Sequence, residues 1–255
     1  MTLRRLQKWH GAGNDFLVDV VAPGEGAWWD GARAAAICER HLGIGADGLI
    51  VAHVGERVSM TLYNADGSRA EMSGNGVRCL VGAVVRARAL EATHLEVETD
   101  AGVRSVSYTF TGTTGWASVS MGRVTFADAI EGTLGVASVG NPHVVLREDA
   151  AWSDTERERI ATRLSDQIGG ANVEFVTVDG VNHVTMRVIE RGVGWTQACG
   201  TGSCAVAAML ARRGEVKSPV VVANPGGELT VSLDGDEANL AGPMTFVGDI
   251  EWSAP

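Results

Sequence analysis

The chain has 255 residues, 45% of them hydrophobic and 20% charged, with a formal net charge of −10, a composition typical of a globular protein with one large domain or two small ones. The acidic balance argues against nonspecific binding of nucleic acid or of anionic membranes. No run of residues approaches transmembrane length. We therefore expect a small-molecule function. Because the N-terminus lacks the apolar segment of a secretory signal and the four cysteines are too few for a disulfide scaffold, we expect reduced thiols in a cytoplasm.

The first half of the chain predicts an alternation of strands, Gly-rich turns and helices. The predicted elements are strand–turn–strand at 3–20, a helix at 30–40 that stops at Gly43 or Gly45, and strands at 49–52 and 58–64. They lead to the motif Ser73-Gly74-Asn75-Gly76, and the apolar residues after this motif predict a helix that is buried in the core.

A change of pattern then divides the chain. Residues 95–99, 103–108 and 117–121 alternate between apolar and polar side chains with a period of two, which predicts three strands. We place the crossover between two domains at the last of these strands. The N-terminal half is predicted to comprise 1–119 with 242–255, and the C-terminal half 120–241.

The second half repeats the order of elements. Its predicted elements are a strand at 136–146 around Asn141-Pro142-His143, a helix at 154–168, and strands at 173–178 and 184–189. The helix has Ile160, Leu164 and Ile168 on one stripe and Asp154 as its predicted N-cap. The motif Cys199-Gly200-Thr201-Gly202 follows and again opens an apolar helix, and the last strands are predicted at 220–222, 229–233 and 244–247.

Polar landmarks precede both motifs at matching distances. The pairs are Asn14 and Asn141 (59 and 58 residues before the motif), Asp47 and Asn172 (26 and 27), and Asn64 and Glu190 (9 and 9). Chance recurrence of turns, in a chain with 33 glycines, is the alternative explanation. Because the elements between the landmarks also recur in order, the sequence predicts two similar halves with a ligand site in the cleft between them.

The start of each apolar helix predicts a binding function. A helix N-terminus has unpaired backbone N–H groups and a partial positive charge, so two of them at one cleft would hold a carboxylate. The same environment lowers the pKa of a thiol from about 8.5 to roughly 3.5–7.5. We therefore predict that Cys199 is a thiolate that acts as a base or a nucleophile. The alternative is that Cys199 is a small buried apolar residue.

The remaining candidate groups are less prominent in the sequence. Cys38, Cys79 and Cys204 lie within apolar helices, where a packing role is favoured. No pair of cysteines or histidines has the spacing of metal ligands, and the Gly-x-Gly turns match no nucleotide-binding fingerprint, so we predict no metal site. His143 could tune a neighbouring thiol, and the charged pair Glu190-Arg191 is expected to contact the ligand.

These motifs resemble those of the diaminopimelate epimerase family. The resemblance rests on WHGAGNDF (9–16), GIGADG (43–48), NADGS (64–68), GNPH (140–143), ERGVG (190–194), ACGTG (198–202) and PGG (225–227). It implies two similar α/β halves, each a β-barrel-like sheet around a central helix. It implies inversion of the α-carbon of LL-diaminopimelate to give the meso isomer, without a cofactor, in lysine and peptidoglycan precursor synthesis. Two cysteines would act from opposite faces, and such proteins are often homodimers.

The resemblance assigns roles to individual residues. Cys199 matches one catalytic cysteine, and Ser73 stands at the position of the other. His143 and Glu190 match residues that tune the thiols. The positions that match substrate-binding residues are Asn14, Asn64, Gly74, Asn75, Asn141, Asn172, Glu190, Arg191, Gly200 and Thr201. Arg191 is a natural partner for the distal carboxylate of the substrate.

Ser73 departs from the family motif, which has cysteine before Gly-Asn-Gly. A serine hydroxyl is a far weaker acid than a thiol, and a helix dipole does not make it a ready base at neutral pH. Three accounts stay open: an introduced substitution that disables one face, a natural change with slow or one-sided epimerisation, and a related reaction of the proline racemase superfamily. We expect an epimerase that is impaired by Ser73, and the alternatives are a racemase or dehydratase of that superfamily or a non-catalytic amino-acid binder.

Overall fold

Seventeen strands and four α-helices form the part of the chain that this computed structural model describes, residues 3–22 and 24–253. The chain divides into two compact units, Met1–Val119 with Gly242–Pro255, and Ser120–Ala241. None of the α-helices in the described ranges is long and apolar enough to cross a bilayer.

The first unit is a closed sheet of eight main strands. Its elements are β1 (Leu3–Gly11), β2 (Asn14–Val21), α1 (Gly31–Cys38), β3 (Gly48–Val54), β4 (Val58–Asn64), β5 (Arg69–Ala70), α2 (Gly74–Arg88), β6 (His94–Thr99), β7 (Gly102–Thr111), β8 (Thr114–Arg123) and the latter part of β17 (Glu237–Ser253). The pairing order is β17, β1, β2, β3, β4, β6, β7 and β8, and β8 pairs with β17 again. The parallel pairs β2–β3 and β4–β6 need crossover connections, which α1 and α2 provide.

Helix α2 forms the core of the first unit. Every residue from Gly74 to Val85 is buried, as the apolar sequence predicts. Gly82 lets the helix approach the indole of Trp9, because a Cβ atom there would lie 2.5 Å from the ring. Trp9 is fully buried and packs against Phe110 and Phe246. Close packing along the helix therefore fixes the position of its N-terminal end.

The second unit has the same kinds of elements. They are β9 (Thr125–Ala127), β10 (Gly135–Ser138), β11 (Pro142–Arg147), α3 (Asp154–Gln167), β12 (Asn172–Gly180), β13 (His183–Glu190), β14 (Gly194–Thr196), α4 (Gly200–Arg212), β15 (Val220–Asn224), β16 (Gly227–Asp234) and the start of β17. The pairing order is β9, β10, β11, β12, β13, β15, β16 and β17. Helix α4 is buried from Gly202 to Leu210.

The two units share one topology. Each begins with an antiparallel pair, β1–β2 or β10–β11, whose second strand runs parallel to the strand after the first helix. Each places its buried helix, α2 or α4, in the crossover to a second parallel pair, β4–β6 or β13–β15. The predicted fold class, mixed α/β with a β-barrel-like sheet around a central helix in each half, is confirmed, and so is the repeat of elements.

The start of α3 differs from the prediction. Its N-cap is Ser153, not Asp154, because the Ser153 hydroxyl accepts a hydrogen bond from the backbone N–H of Glu156, whose side chain accepts one from the backbone of Ser153. This capping box satisfies two helix-terminal N–H groups at once. Ile168 lies beyond the helix and is 38% exposed, so the predicted apolar stripe is shorter than expected. The buried face of α3 includes Leu164.

Helix α1 is also shorter than predicted. It begins at Gly31, after an N-cap at Asp30 whose carboxylate accepts the N–H of Arg33, and it ends at Cys38. Glu39 already has an extended backbone, and Gly43 donates its N–H to the carbonyl of Glu39. Residues 39 and 40, which were predicted to be helical, therefore belong to the turn that follows the helix.

Candidate active site

Ser73 and Cys199 occupy equivalent places in the two units. Both have an extended backbone, with φ −138 and ψ 123 at Ser73 and φ −119 and ψ 114 at Cys199. The Ser73 hydroxyl accepts the N–H of Gly76 at 3.1 Å, and the Cys199 sulfur accepts the N–H of Gly202 at 3.3 Å. Both side chains are helix N-caps. The Gly-x-Gly residues form the first turn of each helix and do not form a separate turn before it.

A buried polar cluster surrounds Cys199. His143 comes from β11 and Glu174 from β12, and their side chains are both 0% exposed. The distance from His143 Nδ1 to Glu174 Oε1 is 2.6 Å, and His143 Nε2 lies 3.1 Å from Asn141 Oδ1. One ligand-type atom from each of His143, Glu174 and Cys199 lies within 4.8 Å of the other two. The structure therefore assembles an imidazole, a carboxylate and a thiol in the core of the second unit.

Strand register explains how this cluster forms. Strands β11 and β12 run parallel, with His143 opposite Asn172 and Val145 opposite Glu174. Because side chains alternate along a strand, Asn172 and Glu174 point to the same face of β12. The neighbouring residues 171–176 are all buried, so this face is covered. A Cβ atom on Gly202 would lie 2.7 Å from Glu174 Oε1, which shows how closely the start of α4 approaches the carboxylate.

The environment of Cys199 corrects one prediction. Burial raises the pKa of the Cys199 thiol well above its usual value, and the negative charges of Glu190 and Glu174 raise it further. Hydrogen bonds from Thr201 and from the Gly202 N–H act in the opposite direction but are outweighed. This direction is opposite to the lowered pKa predicted from the sequence, because loss of hydration and two carboxylates exceed the effect of one helix N-terminus.

The other predicted residues of the second unit lie around Cys199. Asn172 Oδ1 accepts the backbone N–H of Arg191 at 3.0 Å, and its amide nitrogen lies 4.0 Å from Cys199 Sγ. The Glu190 carboxylate accepts a hydrogen bond from the Thr196 hydroxyl at 2.6 Å. The exposed side chain of Arg191 packs over Gly170, where an added Cβ atom would lie 2.8 Å from it. Asn172 thus connects the cap of α4 to the end of β13.

In the first unit, amide side chains surround the equivalent cap. Asn75 is 2% exposed and donates to Asn14 Oδ1 at 3.2 Å, while the Asn14 amide donates to Asp47 Oδ2 at 2.7 Å. Arg78 donates to Asn75 Oδ1 at 2.6 Å. The structure therefore brings Asn14 and Asn75 together beside the start of α2, where Gly74 is also buried.

Asn64 is placed differently from the other predicted residues. It is exposed at the end of β4, and its side chain donates to the Ser68 hydroxyl at 2.9 Å. The backbone N–H of Asn64 donates to the carbonyl of Ser68 as well. Asn64 therefore closes the turn that leads into β5, and its exposed position leaves its amide reachable by a ligand.

Two buried charged residues beside the helix caps were not predicted from the sequence. Glu174 lies in the cluster described above, and Arg78 is fully buried in α2, where it donates to the carbonyls of Gly74 and Pro243 at 3.3 Å. Each is a single charged residue inside an otherwise apolar run. That pattern is the signal that could have identified them, because an isolated charge in a buried segment requires specific partners.

Comparison with solved structures defines the class of fold. The chain matches a predicted epimerase from Pseudomonas aeruginosa with a TM-score of 0.78 at 16% identity, over 99% of this chain and 100% of that one. It matches a PhzF-family phenazine biosynthesis protein from Bacillus anthracis with a TM-score of 0.76 at 16% identity, over 100% of both chains. A hydroxyproline epimerase from Agrobacterium vitis gives 0.75 at 16% identity, over 99% and 91%. The fold is one that epimerases and PhzF-like proteins share.

Sequence comparison places the chain within this class. The family model for diaminopimelate epimerase matches residues 6–127 and 135–247. A diaminopimelate epimerase from Xanthomonas axonopodis pv. citri (strain 306) is 35% identical over 281 residues, which cover 98% of this chain and 96% of that protein. One from Sphingopyxis alaskensis (strain DSM 13593 / LMG 18877 / RB2256) is 37% identical over 280 residues, with 98% of both covered. The chain belongs to the diaminopimelate epimerase family and is an isomerase of the epimerase type.

Proposed function

We propose that this protein inverts the α-carbon of LL-diaminopimelate to give the meso isomer, without a cofactor, and that Ser73 impairs the reaction. The observation that carries the proposal is the Cys199 thiol, a buried helix N-cap beside His143 and Glu174. The names of the relatives supply the substrate. Metabolically, the reaction would serve lysine and peptidoglycan precursor synthesis.

The proposed reaction is a two-base proton transfer. A base on one face removes the α-proton, the electron pair stays on the substrate as a carbanion conjugated with the carboxylate, and an acid on the other face delivers a new proton. Cys199 is the acid when it begins as a thiol and the base when it begins as a thiolate. Burial and two nearby carboxylates favour the thiol form of Cys199, so Cys199 must first lose its proton before it can remove one from the α-carbon.

The helix N-termini would stabilise the charge that develops. The N–H groups at the start of α4, at Gly200 and Thr201, and those at the start of α2, at Gly74 and Asn75, are the proposed cradles for the α-carboxylate. Negative charge on that carboxylate increases as the carbanion forms, so fixed N–H donors bind the transition state more strongly than the ground state. This differential binding lowers the barrier to proton loss.

The remaining predicted residues are proposed to hold the rest of the substrate. Asn14, Asn64, Asn141, Asn172 and Glu190 are assigned to its polar groups. The exposed guanidinium of Arg191 is assigned to the distal carboxylate, which it can bind with two parallel hydrogen bonds. His143 and Glu190 are also assigned to tuning the thiol.

Ser73 gives the proposed reaction an asymmetry. The Ser73 hydroxyl lies at the cap of α2 with a backbone geometry similar to that of Cys199 at the cap of α4. Any difference in proton transfer between the two residues therefore comes from their chemistry and surroundings, not from backbone position. A hydroxyl is a poor base at neutral pH without a strong base beside it. We therefore propose that proton removal on the Ser73 face is slow and that exchange of the α-hydrogen occurs chiefly through Cys199.

Exchange of the α-hydrogen with solvent tests this function. In D₂O with diaminopimelate, proton NMR should show loss of the α-hydrogen signal in the presence of the protein. Cys199→Ser, which keeps a capping oxygen, should lower the exchange rate by roughly 10²–10⁴-fold, the usual contribution of a general acid or base. Cys38→Ala removes a buried thiol of the other unit and serves as the control. Tight binding without any exchange would identify an amino-acid binder and contradict the proposal.

A further inference from the structure

The cluster of His143, Glu174 and Cys199 contains the three side-chain types that bind zinc most often. Each offers one ligand atom, and the three atoms lie within 4.8 Å of one another. The residues come from β11, β12 and the cap of α4, so their spacing along the chain gives no sign of a metal site. Among the described residues this is a cluster of metal-ligand types whose members are all buried.

The distances are close to those that a bound ion needs. Zinc binds imidazole nitrogen at about 2.0–2.1 Å, carboxylate oxygen at about 2.0–2.2 Å and thiolate sulfur at about 2.3 Å, in tetrahedral geometry. Such bonds place the ligand atoms roughly 3.3–3.7 Å apart. The His143–Glu174 pair, at 2.6 Å, must open, and any distance to Cys199 Sγ that lies between this range and the 4.8 Å limit must shorten. Side-chain rotation supplies shifts of this size.

The charge around the cluster also favours a cation. Glu174 and Glu190 place negative charge near the Cys199 sulfur. Glu174 Oε2 is buried and has no hydrogen-bond partner among the described residues. A buried carboxylate oxygen without a donor is destabilising unless a cation or a donor compensates it. This second observation, independent of ligand spacing, points to a positively charged occupant.

We propose that His143, Glu174 and Cys199 form a binding site for a zinc-like divalent cation. Binding replaces the proton of the Cys199 thiol, which is released to solvent. His143 binds through Nδ1 as the tautomer that carries its proton on Nε2 and donates it to Asn141 Oδ1, so the hydrogen bond between His143 and Glu174 is exchanged for two bonds to the ion. No oxidation or reduction is involved. Where Cys199 is the acid and base of the proposed epimerisation, an occupied site also blocks that reaction, and only this consequence rests on the proposed function.

Spectroscopy with Co²⁺ tests the site directly. The protein is treated with a chelator, kept reduced with a phosphine, and titrated with Co²⁺. We expect one equivalent to bind with a sulfur-to-cobalt charge-transfer absorption in the near ultraviolet and with the intense visible bands of a tetrahedral site. Zn²⁺ should then displace the Co²⁺, and competition with a chromophoric chelator gives its Kd. Absence of the charge-transfer band in the native chain overturns the proposal.

Variants separate this site from other ligands. Cys199→Ser should abolish the charge-transfer band and weaken Zn²⁺ binding by about 100-fold or more, and Glu174→Gln should weaken it by about 10- to 100-fold. His183 also contacts two carboxylates, of Asp179 and Glu228, but it is exposed. His183→Gln is therefore the matched control and should leave the spectrum and affinity unchanged. Binding that survives Cys199→Ser, or that is lost in His183→Gln, contradicts the assignment.

Protection from alkylation keeps the test valid even if a variant fails to fold. In the native chain, Zn²⁺ at ten times its Kd should slow the reaction of Cys199 with iodoacetamide by about tenfold. Metal-bound Cys199 does not react, so only the small metal-free fraction is alkylated. Peptide mass spectrometry distinguishes Cys199 from Cys38, Cys79 and Cys204. Equal alkylation of Cys199 with and without Zn²⁺ would contradict the proposal whether or not the protein is an epimerase.

Discussion

The caps of α2 and α4 have the same backbone but different surroundings. Ser73 and Cys199 both accept the N–H of the residue three positions later. Around Ser73 the structure places the amides of Asn75 and Asn14, whereas beside Cys199 it places a buried imidazole and a buried carboxylate. The repeated fold therefore sets the position of the capping atom, while the neighbouring side chains and the atom itself set its acidity.

The two units also differ in how positive charge compensates their carboxylates. In the first unit the carboxylates near Asn14 are neutralised by cations, since Arg40 contacts both Asp15 and Asp47. In the second unit, within the part of the chain that the structure describes, Glu174 has the imidazole of His143 as a partner for one oxygen and no partner for the other. A carboxylate matched to a guanidinium holds structure in place, whereas a carboxylate left partly uncompensated changes the protonation of its neighbours.

Ser73→Cys makes the two caps chemically alike and should give the largest effect. A thiol at this cap restores a competent acid or base on the second face, so we expect turnover of LL-diaminopimelate to rise by roughly 10²–10⁴-fold. The measurement is the rate of meso isomer formation. The control is Ser153→Cys, which changes a serine N-cap of α3 outside both clusters. An unchanged rate in Ser73→Cys would count against the assignment of Ser73 to the second face.

Glu174→Gln tests what raises the pKa of Cys199. The substitution keeps the shape of the side chain and removes its negative charge, so the pKa of the Cys199 thiol should fall. The midpoint of its alkylation by iodoacetamide should therefore move to lower pH. Glu228→Gln removes an exposed carboxylate of the same unit as a control. A midpoint that stays in place would mean that burial and Glu190 account for the raised pKa without Glu174.

Asp15→Asn tests charge compensation in the first unit and should give a smaller effect. Burial alone would raise the pKa of Asp15, but Arg40 and Lys8 outweigh it and lower the pKa from 3.8 to about 2. A lowered pKa stabilises the fold above the unfolded value, and this stability is lost as the pH falls toward 2. Allowing for solvent screening, we expect about 1–2 kcal/mol.

Urea unfolding at several pH values measures this contribution. At pH 7 the native chain should exceed Asp15→Asn in free energy of unfolding by the amount given above. The difference should shrink between about pH 5 and pH 2, where Asp15 becomes protonated in the unfolded and then in the folded state. A difference that does not depend on pH would assign the effect to packing, and the proposed charge compensation would be wrong.

Sequence reasoning predicted the repeat well because it depends on local signals. The Gly-x-Gly motifs, the apolar helices after them and the spacing of Asn14 and Asn141 all follow from short stretches of the chain. The Ser153 cap was missed because the adjacent Asp154 is itself a common N-cap residue. In the structure Asp154 instead pairs with Arg187 and Arg157.

The direction in which the fold shifts the pKa of Cys199 could not be predicted from the sequence. Its position at a helix N-terminus indicates a lowered pKa, and that local argument takes no account of what surrounds the sulfur. Glu174 is 25 residues away along the chain, and the fold brings its carboxylate close to the first turn of α4. The same fold brings His143, Glu174 and Cys199 together. Contacts between distant segments determine these properties, and residue spacing does not record them.

We propose that one half of the chain has a competent acid or base and that the other does not. The most direct measurement is the rate of α-hydrogen exchange in D₂O, determined separately for LL-diaminopimelate and for each centre of the meso isomer. We predict that the configuration presented to Cys199 exchanges at least tenfold faster than its mirror configuration, since a hydroxyl replaces the thiol on the other face. Equal and rapid exchange from both configurations would show that Ser73 acts as a thiol would, and would contradict the account.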